Sequence, residues 1–328
     1  VKRTLFLHIG PAKTGTSAIQ HVLSHHDSSV VVYPRPGRWK DGSHHNLVYN
    51  FFRDYRRPEI LREDASELFS KVAEEVRRSD RNIVISSETL EGRDIRAFAN
   101  GLLDSLDLSA MRVEIVLVAR EHFEWSASLY NQRVKDPTHA ETADPDDYLI
   151  HRTDPPPFAA LTRNVAATGF DVSLINYHPA ETLVCRFLSH VGFPRDVAST
   201  ARRLNVSLGR MELVALLAAN RVSLSAEQRR KIGLVLQKLP RRPLPPNLVF
   251  CADAAMRADT RFTEDRNFVR DKFGIALPVP RWTATAEGLY IEDRDVAQMV
   301  SVVEPFGEDG RRILAATEMF RAPRKPRQ

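Results

Sequence analysis

The chain has 328 residues, 43% of them hydrophobic, enough for one large domain, or one domain with additions. Forty-seven basic residues against 42 acidic ones leave a net charge of +5, an excess too small to mark a nucleic-acid-binding surface on its own. Two cysteines, Cys185 and Cys251, exclude a disulfide framework and a cysteine-rich zinc site. No run approaches the roughly 18–20 apolar residues of a membrane span. The first nine residues have neither the length nor the cleavage site of a signal peptide, so a soluble, cytoplasmic protein is expected.

The chain opens on its most informative stretch, residues 4–20, TLFLHIGPAKTGTSAIQ. Leu5, Phe6, Leu7 and Ile9 read as a short strand buried on both faces. Gly10 and Pro11 break it. Lys13-Thr14-Gly15-Thr16-Ser17 then leads into a helix with Ala18, Ile19, Val22 and Leu23 on one face. The first N–H groups of a helix have no intrahelical partner, and with the helix dipole they attract an anion. Lys13 adds a full charge, and Gly15 lets the backbone approach the ligand closely. This is a cradle for a phosphate or similar oxyanion. A Walker A loop has the pattern G-x-x-x-x-G-K-[ST]. Gly10 and Gly15 keep that spacing, but Thr16 stands where the lysine belongs and the lysine comes three places early, at Lys13. That argues against an ordinary ATPase or GTPase.

A second strand is expected over residues 30–33, VVVY. Pro34, Pro36, Gly37 and Gly42 mark a loop carrying Trp39, Lys40, His44, His45 and Asn46. Residues 47–52 are apolar enough to be core. Asp64-Ala65-Ser66-Glu67 is a capping-box pattern, opening a helix with Leu68, Phe69, Val72, Ala73 and Val76 inside. Residues 82–87, NIVISS, form the next strand and end at Glu88; a polar segment with Gly92 and Gly101 follows. Residues 112–119, RVEIVLVA, are the clearest strand, with Arg120 at its carboxyl end. A helix follows over residues 122–135, then a long loop or lid over 136–157 with a short helix near Tyr148. A helix over 158–168 stops at Gly169, a strand covers 170–177, and a helix after Pro179 buries Leu183, Val184, Phe187, Leu188 and Val191.

The remainder is helical. Residues 211–219 are apolar and periodic, and Ser225-Ala226-Glu227-Gln228 caps a helix to about Leu239. Residues 240–246 form a proline-rich joint, and 263–273 a helix closed by Gly274. The domains expected are residues 1–280, with a helical segment at about 195–245, and a C-terminal extension over 281–328 with a basic tail. Strand–helix alternation implies an α/β fold: a P-loop-type parallel sheet flanked by helices, with an added helical C-terminal part. Ligands of such sheets sit beyond the carboxyl ends of the strands, where Lys13, Glu88 and Arg120 all fall.

Arg120 and Ser128, eight residues on and early in the next helix, can grip one phosphate, the first with a charged planar fork and the second with a hydroxyl. Taken alone, an arginine at a strand end is more often an ion pair. Residues 9–18, IGPAKTGTSA, together with Arg120, Ser128 and the following Leu129-Tyr130-Asn131, resemble sulfotransferases that use 3′-phosphoadenosine-5′-phosphosulfate (PAPS). The likeness is to bacterial and membrane-type carbohydrate sulfotransferases, notably the heparan N-sulfotransferase type. It covers residues 5–131. Asn176-Tyr177-His178-Pro179 and Asn267-Phe268 before Phe273-Gly274 are only reminiscent of bacterial members. In the family the second motif often reads R-D-P-x-x-x-x-x-S; here Glu121-His122 stands in place of aspartate-proline.

The resemblance implies that Pro11, Ala12, Lys13, Thr14, Gly15, Thr16 and Ser17 hold the 5′-phosphosulfate and that Arg120 and Ser128 hold the 3′-phosphate. The product would be the desulfonated nucleotide PAP, and the acceptor a hydroxyl or amine, as on a carbohydrate. Sulfuryl transfer is then mostly positioning and electrostatics, with Lys13 neutralising charge on the leaving phosphate oxygen. In the heparan N-sulfotransferase type a glutamate after the second strand takes the acceptor's proton. Here that loop has no glutamate before Glu59, and His44, His45 or Glu88 is the candidate base. His21, His25 and His26 read as helix-surface residues. No metal-ligand spacing is visible, and no metal, membrane or nucleic-acid partner is expected. The competing readings are a P-loop nucleotide kinase with a displaced lysine, a non-catalytic basic nucleic-acid-binding protein, and an inactive relative acting as a binding module.

Overall fold

The computed structural model describes residues 3–56, 60–77, 79–106, 111–152, 158–200, 207–236, 239, 244–282 and 288–321. In chain order the elements begin β1 (Thr4–Gly10), α1 (Thr16–His25), β2 (Val31–Val32), α2 (His45–Phe51), α3 (Ala65–Arg77) and β3 (Asn82–Ser86). A 3-10 turn, Glu88–Leu90, leads to α4 (Ile95–Leu106), β4 (Arg112–Ala119), α5 (His122–Lys135) and the single turn α6 (Pro145–Asp147). Then come α7 (Phe158–Ala166), β5 (Asp171–Asn176), α8 (Leu183–Val191), α9 (Arg210–Arg221), α10 (Ala226–Leu236), α11 (Ala252–Phe273), α12 (Asp293–Val303) and α13 (Glu308–Thr317).

The fold is α/β, with a five-stranded, all-parallel sheet in the order β2-β3-β1-β4-β5. The central strand β1 pairs Leu5 with Ile83 of β3 on one side and with Val113 of β4 on the other. Side chains alternate across a strand, so β1 feeds two cores. Leu5, Leu7 and Ile9 pack with Ile83, Ile85 and the inner faces of α3 and α4. Phe6 faces the opposite layer with Ile19, Val22, Val116 and Phe187. All seven residues of β1 are buried for this reason.

The chain divides into two compact units that are interleaved along its length. The first holds the sheet and consists of Val1–Arg120, Pro156–Asn205 and Asp265–Leu277. The second, Glu121–Pro155, Val206–Glu264 and Pro278–Gln328, is helical. Of the segment expected around residues 195–245, α9 and α10 fall in it, as do the residues from 278 onwards, whereas those up to 205 belong to the first unit. Its core gathers Tyr130, Tyr148, Phe250 and Phe262 around α9. Residues 211–220 of α9 are buried on every side, the pattern of a central helix. Asn220 within it donates to the carbonyls of Val134 and Glu141 at 3.0 Å each. Among the described residues no helix is long and apolar enough to cross a membrane.

Several expectations shift. The second strand shrinks to Val31–Val32 at the sheet edge, pairing with β3 alone. Gly101 lies inside α4 rather than in a polar segment. A Cβ there would come within 2.8 Å of the Phe51 ring, so the glycine admits that ring. The helix expected over 263–273 begins at Ala252; its added turns are rich in Asp and Arg and gave no clear apolar stripe. His45 opens α2 instead of lying in a loop. Parts of the expected proline-rich joint, the last residues of the expected 136–157 segment and most of the basic tail lie outside the described residues.

Asp265 caps α7 from within the first unit. Its carboxylate accepts from the backbone N–H of Phe158 at 3.0 Å and of Ala159 at 2.7 Å. Helix-start donors left without a partner cost about 1–3 kcal/mol when buried. Asp265→Ala is expected to lower unfolding free energy by about that amount in urea titrations. Asp265→Asn, which keeps one oxygen, should lose less.

Candidate functional site

The turn between β1 and α1 is tightly wound. Gly10, Lys13 and Gly15 have φ of +94°, +67° and +86°. The two glycines adopt such angles freely, but a lysine there costs about 1–2 kcal/mol. Left-handed non-glycine residues of this kind concentrate at functional sites. Thr14 closes the turn by donating its hydroxyl to the Pro11 carbonyl at 2.6 Å. Thr14 and Thr16 are buried, while Ala12, Lys13, Gly15 and Ser17 are partly exposed. Gly15 precedes α1, and its carbonyl accepts from Ala18 and Ile19 as the helix begins. A Cβ on Gly15 would meet Leu183 Cδ2 at 2.5 Å and Tyr177 Cε2 at 3.5 Å. The connection from β5 to α8 thus lies against the turn.

Arg120, at the end of β4, reaches the same turn. Its Nη1 donates to the Lys13 carbonyl at 2.7 Å, and its guanidinium lies 4.5 Å from the centre of the Tyr177 ring. Tyr177 is held in turn, because Arg186 Nη2 donates to the carbonyls of Asn176, Tyr177 and Pro179 at 2.7, 3.1 and 3.0 Å. Ser128 lies on the second turn of α5, in the second unit.

The candidate bases sit beside the first residue of the turn. A Cβ on Gly10 would come within 3.0 Å of Glu88 Cβ. Glu88 Oε1 lies 3.7 Å from His45 Nε2. The other ring nitrogen of His45 is 2.7 Å from Ser87 Oγ, which is 2.6 Å from Thr89 Oγ1. Trp39 meets the His45 ring edge-on, with centroids 5.1 Å apart.

His44 has a different environment. Its Nε2 is 2.8 Å from the Pro34 carbonyl and its Nδ1 accepts from the Ser86 N–H at 3.2 Å. That pattern assigns the proton to Nε2 of a neutral ring. Burial holds the imidazole down at about 3.

Two residues join the site that sequence reasoning passed over. Gln20, 1% exposed, donates to Glu88 Oε2 at 3.0 Å and to Ser86 Oγ at 3.1 Å. A polar side chain on the apolar face of α1, one position after Ile19, was the available signal. Glu91 is half-buried; burial raises its pKa, the neighbouring Glu88 adds to this, and a hydrogen bond from the Ala12 backbone opposes it. Among the described residues no group of three or more His, Cys, Asp and Glu is arranged to hold a metal ion. Comparison with family models, curated proteins and solved structures finds no match to this chain.

Behind the site lies a second buried imidazole. His8 Nδ1 is 2.8 Å from Ser86 Oγ, its ring packs 4.8 Å from Phe187, and burial holds it at about 3. His8 and His44 are neutral in the fold but titrate near 6.5 once unfolded. Between pH 6.5 and 3 the unfolded chain therefore binds more protons than the folded one, and stability rises with pH. The contribution is complete above pH 6.5 and is lost as pH falls below it. Each histidine adds a slope of about 1.4 kcal/mol per pH unit. Urea titrations from pH 7 down to 4.5 should show this loss, and His8→Gln should reduce the slope by about one proton.

Proposed function

We propose that this chain is a sulfotransferase that moves a sulfonate from PAPS to a hydroxyl or amine, as on a carbohydrate. The reading rests above all on the hydrogen bond from Arg120 to the Lys13 carbonyl. That bond holds the guanidinium beside the turn, and a nucleotide with phosphates at both ends of one ribose needs its two anion-binding groups that close. The order β2-β3-β1-β4-β5, with the turn leaving the central strand, supports a P-loop-type architecture. The positive-φ turn with glycines at 10 and 15 suits the close approach of an oxyanion.

In this reading Lys13 balances the charge that builds on the leaving phosphate oxygen. The N–H groups and hydroxyls over residues 14–17 hold the 5′-phosphate, and Arg120 holds the 3′-phosphate. The acceptor oxygen or nitrogen bonds to sulfur as the sulfur–phosphate oxygen bond breaks, and PAP leaves. The acceptor's proton passes to the His45–Glu88 pair. Gln20 keeps one carboxylate oxygen of Glu88 engaged and so aims the other at His45. His44 has no part in this, because the backbone takes up both of its ring nitrogens.

Lys13→Ala and Arg120→Ala are each expected to abolish turnover. Calorimetry with PAP should show Arg120→Ala weakening binding about tenfold or more, the scale of a lost charged hydrogen bond. Unchanged affinity would refute the assignment. Thermal-shift assays on the unaltered chain should favour PAP over ATP, ADP and GTP. A magnesium-dependent preference for ATP would instead support the kinase reading.

A further inference from the structure

A cleft of about 700 Å³ opens beside the 3-10 turn that follows β3, within the roughly 300–1,000 Å³ range of small-molecule sites. Its walls are Tyr49, Asp54, Arg56, Thr89, Glu91 and Arg93. Two of these residues connect it to the groups described above. Thr89 is bonded to Ser87, which is bonded to His45. Glu91 takes a hydrogen bond from the Ala12 backbone of the anion-binding turn. A molecule seated in the cleft would thus share one wall with the candidate base and another with the candidate donor site.

The charges of the cleft are balanced and largely committed. Asp54 accepts from Arg56 at 2.7 and 2.8 Å and from Arg93 at 2.5 Å. Arg93 also donates to the Thr89 carbonyl at 2.8 Å and lies over the Phe52 ring at 5.1 Å. Two arginines are therefore offset by Asp54 and Glu91, with Glu88 close behind. A cleft built for a polyanion presents uncommitted guanidinium groups, whereas carboxylates fixed in its wall repel one. Carboxylate oxygens, a threonine hydroxyl and guanidinium N–H groups offer both acceptors and donors, as sugar hydroxyls require.

We infer that this cleft is the acceptor site of the proposed sulfotransferase, and that it selects an uncharged, hydroxyl-rich molecule of oligosaccharide class over an anionic one. The inference rests on the sulfotransferase reading. The step balances: the acceptor oxygen gains the sulfonate, its proton goes to the His45–Glu88 pair, and PAP departs with the broken-bond electrons.

The test uses the full chain and has two stages. PAP binding by calorimetry checks the underlying reading alone, and its absence removes that reading. Given binding, radiolabelled sulfonate from PAPS is offered to chitotetraose and maltotetraose as neutral probes and to hyaluronan tetrasaccharide as an anionic one. At least one neutral probe should be modified, with kcat/KM at least tenfold above the anionic probe. Asp54→Asn removes the carboxylate charge that offsets both arginines and should lower KM for the hyaluronan probe at least threefold, with PAP affinity unchanged. Transfer favouring the anionic probe, no transfer to either neutral probe, or an Asp54→Asn variant with unaltered KM values would each overturn the acceptor assignment while leaving PAP binding intact.

Discussion

The hydrogen bond between the Arg120 guanidinium and the Lys13 carbonyl joins the ends of two adjacent parallel strands. Carbonyl groups at such ends have no further strand to pair with, and a charged donor satisfies one of them at a point where the backbone is forced through a left-handed residue. Tyr177 lies beneath the guanidinium, and Arg186 fixes the backbone that carries Tyr177. The turn, β4 and the β5–α8 connection are thereby held in one arrangement. Each candidate anion-binding group in the first unit depends on it.

The other side of the turn is ordered by polar groups inside the core. Gln20, Ser86 and His8 form a buried hydrogen-bonded set between α1, β3 and β1. Buried polar groups are costly unless paired, and when paired they specify one geometry. Here the geometry specified is that of Glu88, two residues past the end of β3. His44 works similarly from the edge of the sheet, tying the Pro34 carbonyl to the Ser86 N–H. The sheet therefore reaches its carboxyl edge with its loops already fastened.

Much of this could be read from the chain. β1 and β4 are rich in apolar residues because helices cover both faces. The capping pattern at Asp64 does open α3, with its carboxylate accepting from Ser66 and Glu67. Strand ends also placed Lys13, Glu88 and Arg120 on one edge. The interleaving of the two units was not legible, since it depends on contacts between segments far apart in sequence. Gly101 looked like a breaker because the Phe51 ring that explains it lies in another helix. His44 and His45 could not be told apart, because adjacent side chains at a helix start point in different directions. Gln20 and Glu91 acquire meaning only through partners 68 and 79 positions away.

The backbone of Lys13 has one more consequence. Glycine or asparagine would fit its left-handed conformation with less strain, so a search for heat-tolerant variants would be drawn to this position. Such a search would recover a sturdier protein stripped of its ammonium, and resilience selected at that spot would run against the very group on which the proposed anion binding relies.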